Sequence, residues 1–469
     1  MILELSEVSL RFFHEEKELL SSISLNVKQG ACVGLTGPSG GGKTLIGLIA
    51  AGVIPELIRA EMKGAIRRFT QKEPYRTHAA IVFQDPSFQL LSKTVYDELL
   101  FTPRKLGWPY VEVEKDMESI VTGLDIKHLL NRNPRELSTG EVQRVAAGAA
   151  LMQRPRIIIL DEPTQFLDRF HVEKTLEFVH KWAVQHHTSI VLIEHHISLL
   201  KRFCDNVFYV EHGTVTTSEL SEPEYPFDGL PVPQGTGPCL SLRNVCFSYK
   251  PQQPVLKDIT VSISRGESVA IIGPNGSGKS TLAKLICGLY KPASGDLTYF
   301  GRELKEDSMF RNTGYVMQEP DRQIFASTVL DECSFGPQNF GVPRGEFEQL
   351  ISMYLREFHL DGFEDRNPLS LSYGEKRRMN IIGVLTYDPP VIILDEPTSG
   401  LDHRNSMILL EHVKQWIARN KSVIIITHDL EFARAACHRA VFIDKGRIVR
   451  DASLKGVSDK DVIPLYTTG

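Results

Sequence analysis

The chain lacks any apolar run long enough to cross a membrane. The longest apolar stretches, such as 145–152 and 391–394, fall well short of the roughly 20 residues that a membrane-spanning helix needs. The first residues also lack a basic region followed by an apolar run. We therefore expect no signal peptide, and synthesis that ends in the cytosol.

An excess of positive charge is missing too. Lys and Arg number 53 against 58 Asp and Glu, which gives a formal net charge of −5. No global basic field is available to hold a phosphate backbone, so nucleic-acid binding is disfavoured. Cysteine is scarce: the seven cysteines include no CxxC pair. We interpret them as reduced thiols rather than as disulfides or zinc ligands.

What the chain does contain is an internal repeat. Similar glycine-rich loops begin at Gly37 and Gly273, and later motifs of the two halves follow at a nearly constant offset. The segment 221–238 between the halves is dense in Pro and Gly and has no apolar periodicity, which is typical of a linker. The sequence therefore predicts two domains, 1–220 and 239–469, joined by this linker.

Each half has an apolar run that ends in two acids, IIILDE from Ile157 and VIILDE from Val391. Such runs are typical of strands that are buried on both faces of a parallel sheet. Alternating strand patterns open each half, at 3–12 and 240–249. The sequence predicts an α/β class for both halves.

Two glycine-rich loops satisfy the P-loop pattern, GPSGGGKT from Gly37 and GPNGSGKS from Gly273. Glycines let successive N–H groups turn toward a phosphate, and the loop opens onto the positive end of a helix. The predicted ATP-binding residues are Gly37, Pro38, Ser39, Gly40, Gly41, Gly42, Lys43, Thr44, Gly273, Pro274, Asn275, Gly276, Ser277, Gly278, Lys279, Ser280 and Thr281. The lysines are expected to reach the β- and γ-phosphates, and Thr44 and Ser280 to bind Mg²⁺.

The acids after the apolar runs lie at the sheet edge where open α/β folds bind ligands. Asp161 and Asp395 are predicted to hold Mg²⁺, whereas Glu162 and Glu396 are predicted to polarise the attacking water. A carboxylate is kept at the base position in both halves, which predicts hydrolysis at two sites.

The segments LSTGEVQR from Leu137 and LSYGEKR from Leu371 resemble the signature motif of ABC ATPases. TQFLD from Thr164 and TSGLD from Thr398 resemble the D-loops of that family. Gln84 and Gln318 resemble its Q-loop glutamine, and His195 and His428 its switch histidine. The chain is thereby identified as resembling two P-loop domains in tandem, each with a mixed, largely parallel sheet core and a helical subdomain.

This resemblance implies that the domains pair head to tail around two ATP molecules. Signature residues of one half would then complete the P-loop site of the other: Ser138, Gly140, Glu141, Ser372, Gly374 and Glu375. It also implies that Phe12 and Tyr249 stack on adenine, that Gln84 and Gln318 contribute to the Mg²⁺ sites, and that His195 and His428 are catalytic.

Departures from the family pattern fall mainly in the first half. Phe166 stands where the second half has Gly400, Glu194 stands where Thr427 does, and both signatures carry Glu where the family commonly has Gln. These differences put equal turnover at the two sites in doubt.

The segment QEPDRQIFASTVLDECSFGPQNFGVP from Gln318 resembles the corresponding region of energy-coupling factor importers, and the segment from Gln84 fits less closely. In that family this region receives coupling helices of the transmembrane component. The residues predicted to form such a docking groove are apolar Phe88, Leu90, Leu91, Ile324 and Phe325 beside acidic Asp97, Glu98, Asp331 and Glu332. An internally packed helical subdomain with a solvated acidic face is the alternative.

The resemblance predicts an ATPase, with ATP and Mg²⁺ as cofactors, that energises import of a vitamin or a transition-metal ion. Its expected partners are integral membrane subunits, a coupling component and a separate substrate-binding subunit, and its expected place is the cytoplasmic face of the cell membrane. The alternative is a soluble ABC ATPase that acts on ribosomes or DNA. Such proteins usually bring an iron–sulfur domain, a long basic linker or a coiled-coil insertion, and the sequence shows none of these.

Overall fold

A computed structural model describes residues 1–13, 17–68, 74–217, 224–226, 229–233, 237–303 and 306–454. The chain divides into two units, Met1–Pro223 and Glu224–Gly469. Parts of the predicted linker and the end of the predicted second domain lie outside the described residues, and the predicted bounds of the domains stay a prediction.

Strands and helices alternate along the first unit. Its strands are β1 (Leu3–Arg11), β2 (Leu20–Val27), β3 (Cys32–Thr36), β4 (Glu61–Arg68), β5 (Ala79–Val82), β6 (Ile157–Asp161), β7 (Ser189–Ile193), β8 (Asn206–Glu211) and β9 (Thr214–Thr216). Its helices are α1 (Lys43–Ala51), α2 (Val53–Glu56), α3 (Val95–Lys105), α4 (Tyr110–Gly123), α5 (Thr139–Leu151), α6 (Arg169–Gln185) and α7 (Ile197–Phe203).

The second unit has nearly the same order. Its strands are β10 (Pro238–Ser248), β11 (Pro254–Ser264), β12 (Ser268–Ile272), β13 (Ser294–Tyr299), β14 (Thr313–Val316), β15 (Val391–Asp395), β16 (Ser422–Ile426), β17 (Arg439–Asp444) and β18 (Arg447–Ser453). Its helices are α8 (Lys279–Ile286), α9 (Glu306–Asn312), α10 (Val329–Asn339), α11 (Arg344–Glu357), α12 (Tyr373–Leu385), α13 (His403–Ala418) and α14 (Leu430–Ala436). The order differs in that α2 precedes β4 in the first unit, whereas α9 lies between β13 and β14 in the second.

Each unit has a mixed six-stranded sheet, in the order β5-β6-β7-β3-β8-β9 in the first and β14-β15-β16-β12-β17-β18 in the second. All neighbouring pairs are parallel except the last pair at one edge. Every residue of β3, β6 and β7 is buried, as is every residue of β12, β15 and β16. Continuous apolar strands are expected where helices cover both faces of a sheet, and the predicted α/β class is confirmed.

A separate antiparallel sheet of three strands accompanies each main sheet, in the order β2-β1-β4 and β11-β10-β13. Strand β1 alternates buried and less buried residues because one of its faces packs on a core and the other does not. Helices α3 to α5 pack against one another in the first unit, and α10 to α12 do so in the second. Side-chain caps fix the first turns of α3 and α10, through Thr94 and Thr328, whereas α4 and α11 each follow a proline without such a cap.

Described residues of the predicted linker pack on the second unit. The ring of Tyr225 lies 5.1 Å from that of His403 and 5.5 Å from that of Phe432, and the Pro231 carbonyl oxygen lies 3.0 Å from Nε2 of His438. Helices of the described residues are all too short or too polar to span a bilayer.

Candidate active site

Both P-loops connect the central strand of a main sheet to a helix, β3 to α1 and β12 to α8. The residue before each helix is a glycine in the left-handed region, Gly42 with φ 104° and Gly278 with φ 107°. A Cβ atom at these positions would lie 2.6 Å from Leu20 Cδ2 and 2.7 Å from Leu256 Cδ2. Only glycine therefore fits the turn that aims backbone N–H groups at the mouth of the loop.

The P-loop lysines are buried and held inside their own loops. Nζ of Lys43 donates to the carbonyl oxygens of Gly37 at 2.8 Å and Pro38 at 2.9 Å. Lys279 makes the same bonds to Gly273 and Pro274. Each ammonium group is thus already in place for a phosphate before any ligand arrives.

In each unit, the hydroxyl and the aspartate that are predicted to bind Mg²⁺ meet at the carboxyl end of a strand. In the first unit, Oγ1 of Thr44 donates to Oδ2 of Asp161 at 2.8 Å. Burial, and next to it the charge of Glu162, raises the pKa of Asp161 to about 7. In the second unit, Asp395 accepts hydrogen bonds from Ser280 and from the hydroxyl of Tyr315. Burial likewise raises the pKa of Asp395.

These residues fit a hard cation such as Mg²⁺. Buried Oδ1 of Asp395 has no hydrogen-bond partner among the described residues, and a buried carboxylate oxygen of this kind is costly unless something pairs with it. Hydroxyl, carboxylate and amide oxygens are the ligands that Mg²⁺ prefers. The set consists of Thr44, Asp161 and Gln84 in the first unit, and Ser280, Asp395 and Gln318 in the second.

The two predicted bases adopt an unusual backbone conformation. Glu162 has φ 47° and Glu396 has φ 49°, a left-handed region that a non-glycine residue adopts only at a cost. Each follows the last residue of a strand, so this conformation turns the side chain toward the edge where the P-loop opens. The N–H of each also donates to the neighbouring strand, to Ile193 and Ile426.

In the first unit, the side chains of His195 and Gln84 both hold Glu162. Nε2 of His195 lies 2.9 Å from Oε1 of Glu162, and Nε2 of Gln84 donates to Oε2 at 2.7 Å. Burial alone would raise the pKa of Glu162, but His195, Lys43 and Gln84 together outweigh burial and hold it below its ordinary value. The carboxylate is ionised and oriented, as a general base requires.

In the second unit, two atoms of His428 hold the Glu396 carboxylate, and no other hydrogen bond reaches that carboxylate from the described residues. Nδ1 of His428 lies 2.9 Å from Oε2 of Glu396, and the His428 backbone N–H donates to the same oxygen at 3.4 Å. Burial disfavours the charged form of both groups, but their attraction and hydrogen bond outweigh burial. The pKa of Glu396 therefore lies below its ordinary value, and the pKa of His428 lies above it. The catalytic assignments in both units stay predictions.

The signature residues lie at the start of a helix in both units. Ser138 and Glu141 form a reciprocal capping box at α5, and Ser372 and Glu375 form the same box at α12. The box accounts for glutamate at this position within each unit, because its carboxylate accepts the serine N–H at 2.8 Å. That these residues, with Gly140 and Gly374, complete a second P-loop site stays a prediction.

The two predicted adenine-stacking residues lie in different surroundings. Phe12 packs at the margin of a core beneath β1 and β2. Tyr249 is 53% exposed, its hydroxyl lies 3.0 Å from Oγ1 of Thr281, and its ring meets those of Phe247 and Tyr290 edge-on. Tyr249 thus offers an open ring beside the second P-loop helix.

Sequence reasoning missed the role of Arg377. Its guanidinium is fully buried and donates to the carbonyl oxygens of Met317, Gln318, Asp395 and Glu396. It therefore ties the signature helix to the Q-loop and to the acids. No signal in the sequence marked it, since its partners are backbone atoms distant in the chain.

At the position equivalent to Arg377 the first unit has Gln143, which is 1% exposed. Both polar atoms of the Gln143 side chain lack a partner among the described residues. The first unit thus lacks the arginine that joins these three elements in the second unit.

Two acidic residues of the predicted groove, Glu98 and Glu332, are buried. The buried carboxylate of Glu98 accepts the N–H groups of Leu91 and Ser92, and that of Glu332 accepts those of Phe325 and Ala326. The prediction that Glu98 and Glu332 present acid to a partner is wrong, because both residues are buried and Oε2 of each accepts two backbone N–H groups of its own loop. These two residues instead fix the loop that carries the exposed apolar side chains.

Comparison with known proteins gives one family for both halves. The profile of the ABC transporter family matches residues 20–165 and 256–399. A protein of Treponema denticola named "Putative ABC transporter ATP-binding protein" is 30% identical over 97% of this chain and 98% of its own. A Bacillus subtilis protein named "Putative HMP/thiamine import ATP-binding protein YkoD" is 30% identical over 96% of this chain and 91% of its own.

One solved structure that the chain resembles covers about half of it. The structure of cbiO1 from Clostridium perfringens, described as part of the ABC transporter complex cbiONQ, is 31% identical. It covers 48% of this chain and 93% of that chain, with a TM-score of 0.43.

Proposed function

We propose that this chain, which belongs to the ABC transporter family, energises a membrane importer of the energy-coupling factor type. The chain is an ABC ATPase and the ATP-binding subunit of a transporter, like the relatives it matches along nearly its whole length. The importer type, the solute and the membrane partners are the proposed part.

One observation carries the proposal: an open apolar surface beside an unpaired acid in the second unit. Phe325 is 61% exposed and Phe335 is 49% exposed, and their rings meet edge-on with centroids 4.4 Å apart. Asp331, in the first turn of α10, has no ion-pair partner among the described residues and accepts only a 3.5 Å contact from Ser327. We call Phe325, Phe335 and Asp331 the α10 groove.

The chemistry of the α10 groove fits one kind of partner, an amphipathic helix that carries an arginine. Aromatic rings and a carboxylate together bind a guanidinium by packing, cation–π attraction and charge. The groove follows Gln318 in the segment that resembles energy-coupling factor ATPases. The proposed occupant is therefore a coupling helix of an integral membrane subunit, which would place this chain at the cytoplasmic face of the membrane.

The first unit offers a different surface. There Asp97, the residue equivalent to Asp331, is paired with Arg104 at 2.8 Å, whereas the second unit has Gln338 in place of Arg104. The carboxylate of the first unit is already neutralised. The arginine-bearing helix is accordingly assigned to the second unit.

ATP would be held by the two P-loops, and Mg²⁺ by the oxygen donors described above. The bound cation would neutralise charge on the β- and γ-phosphates. Glu162 and Glu396 would orient the attacking water, while the switch histidines hold those carboxylates. The relative named for HMP and thiamine import supports a vitamin as the solute, with a transition-metal ion as the other candidate.

Affinity purification of the tagged full chain from native membranes in mild detergent tests the proposal. We expect an integral membrane subunit to co-purify, and Asp331→Lys to lower its recovery about tenfold because like charges repel across a docked surface. Glu303→Lys, at an exposed glutamate of the same unit, is the matched control and should recover the partner as the unchanged chain does. ATP hydrolysis should survive both changes.

Two results would contradict the proposal. One is recovery of the chain with ribosomes and without a membrane subunit. The other is equal recovery of the membrane subunit with Asp331→Lys and Glu303→Lys. Uptake of labelled thiamine, of its pyrimidine precursor and of cobalt by cells with and without the chain then separates the solute classes.

A further inference from the structure

Glu194 is a buried carboxylate to which the ATPase chemistry described above gives no role. It follows the last residue of β7, directly before the switch histidine His195, and is 2% exposed. The repeat places Thr427 at the same position of the second unit. A charged side chain costs free energy to bury unless it makes hydrogen bonds, so its partners indicate why it is there.

Two donors from different loops meet on this carboxylate. The backbone N–H of His195 donates to Oε2 of Glu194 at 3.1 Å, and the hydroxyl of Thr164 donates to Oε1. Thr164 opens the first D-loop, TQFLD. One side chain therefore joins the switch histidine to the D-loop within the first unit.

The second unit fixes its switch histidine with other residues. Oγ1 of Thr427 accepts the N–H of Asp429 at 3.0 Å, and the Asp429 carboxylate caps α14 by accepting the N–H of Phe432 at 2.9 Å. The His428 N–H donates to Glu396 itself. In the first unit the residue after the switch histidine is His196, whose side chain does not cap α7.

The difference changes what the catalytic carboxylate binds. Because Glu194 accepts the His195 N–H, both oxygens of Glu162 are left for side chains, Nε2 of His195 on Oε1 and Nε2 of Gln84 on Oε2. Loss of Glu194 would leave the part-buried His195 N–H without its acceptor. The His195 imidazole would then no longer be held at a fixed distance from Glu162.

We propose that Glu194 is a positioning residue for ATP hydrolysis in the first unit. It holds His195 against Glu162 and couples that histidine to Thr164 of the D-loop. One buried carboxylate before the histidine thus replaces the Thr427 and Asp429 pair that surrounds His428. The inference rests on the ATPase chemistry and not on the importer type, so either can fail without the other.

The role of Glu194 can be tested by replacing residues of the first unit with the equivalent residues of the second. In the full chain with Glu396→Gln, which leaves Glu162 as the remaining base, Glu194→Thr should lower kcat about tenfold, since a small displacement of a positioned group costs rate. KM for ATP should stay within about twofold, because no contact to nucleotide is removed. Adding His196→Asp, which recreates the Thr-His-Asp order of the second unit, should restore most of kcat.

The rescue separates positioning from simple loss of packing. Glu194→Thr and Glu194→Thr with His196→Asp leave the same space behind, so recovery in the double variant can come only from the new cap. Lys201→Ala, on the exposed side of α7, is the matched control and should leave kcat unchanged.

Amide hydrogen exchange of peptides that cover residues 194–203 gives a readout independent of turnover. We expect exchange at His195 to be at least about tenfold faster in Glu194→Thr and close to that of the unchanged chain in the double variant, because the lost acceptor opens this turn locally. Unchanged kcat and exchange in Glu194→Thr, or a double variant as slow as the single one, overturn the proposal. If the Glu396→Gln chain turns over too slowly to measure, the exchange comparison decides alone.

Discussion

At the scale of single residues, the two P-loop lysines show how a short motif fixes chemistry. Each ammonium group is buried and donates to two carbonyl oxygens of its own loop. The ammonium group is already desolvated and its side chain is already fixed in one conformation. Phosphate binding therefore costs little further conformational entropy.

Removal of either lysine should weaken nucleotide binding. Lys43→Ala and Lys279→Ala each delete a charge-assisted contact worth roughly 1.5–3 kcal/mol, which is about a ten- to hundredfold change in dissociation constant. Isothermal titration with a non-hydrolysable ATP analogue measures it. Lys63→Ala, at an exposed lysine paired with Glu18, should bind as the unchanged chain does. Wild-type affinity in both P-loop variants would refute the assignment of these loops.

How far single residues could be predicted depended on whether their partners are local in sequence. Lys43 and Thr44 belong to a motif whose residue spacing predicts that they bind phosphate and Mg²⁺. Arg377 acts through the backbone carbonyls of Gln318 and Asp395, and Glu194 acts through the side-chain hydroxyl of Thr164. Only the fold brings these groups together. Their residue types stood in the sequence, but no spacing rule connects such distant atoms.

At the scale of elements, the loop before α10 shows a structural role for a residue first expected to bind a partner. Glu332 accepts two successive backbone N–H groups, from Phe325 at 3.0 Å and Ala326 at 2.8 Å. The same carboxylate and the same pair of bonds recur at Glu98. The glutamate therefore presents the exposed phenylalanine and does not itself face outward.

Glu332→Gln should loosen this loop. The amide keeps the size of the side chain but accepts more weakly than a carboxylate, and the free energy of unfolding of the second unit should fall by about 1–3 kcal/mol. Urea unfolding measures the loss, and hydrogen exchange at 324–327 locates it. Asp361→Asn, at an exposed turn, is the control and should change stability by less than about 0.5 kcal/mol. An unchanged exchange rate at 324–327 would show that the carboxylate does not hold the loop.

Elements were predictable where burial is uniform and less so where it is not. The fully buried strands β6 and β15 could be predicted from apolar runs that end in an acidic residue. Strand β1 could be predicted from its alternating pattern. Its place in a separate sheet could not be predicted, because its partner β4 is mostly exposed and has no such pattern. The position of a half-exposed strand in a sheet depends on the strands that it pairs with more than on its own sequence.

At the scale of the whole molecule, duplication has kept the strand order and changed the connections around the catalytic carboxylates. In the first unit the Q-loop reaches the base directly, through Gln84 to Glu162. In the second unit the Q-loop is tied by its backbone to the signature helix through Arg377. The repeat in the sequence predicted two like domains, and only the structure gives these two different connections.

Unequal connections should give unequal turnover. Glu162→Gln and Glu396→Gln each remove one base, a loss of about 10² to 10⁴ in rate at that site, and the double variant should bind ATP without hydrolysing it. Arg377 holds the backbone carbonyls of both acids in the second unit, whereas the polar atoms of Gln143 in the first unit have no partner among the described residues. Glu396→Gln should therefore leave the smaller residual rate. Steady-state phosphate release measures all three variants against one another. Equal residual rates would show that Arg377 and Gln143 have no bearing on hydrolysis, and continued hydrolysis in the double variant would remove both glutamates from the reaction.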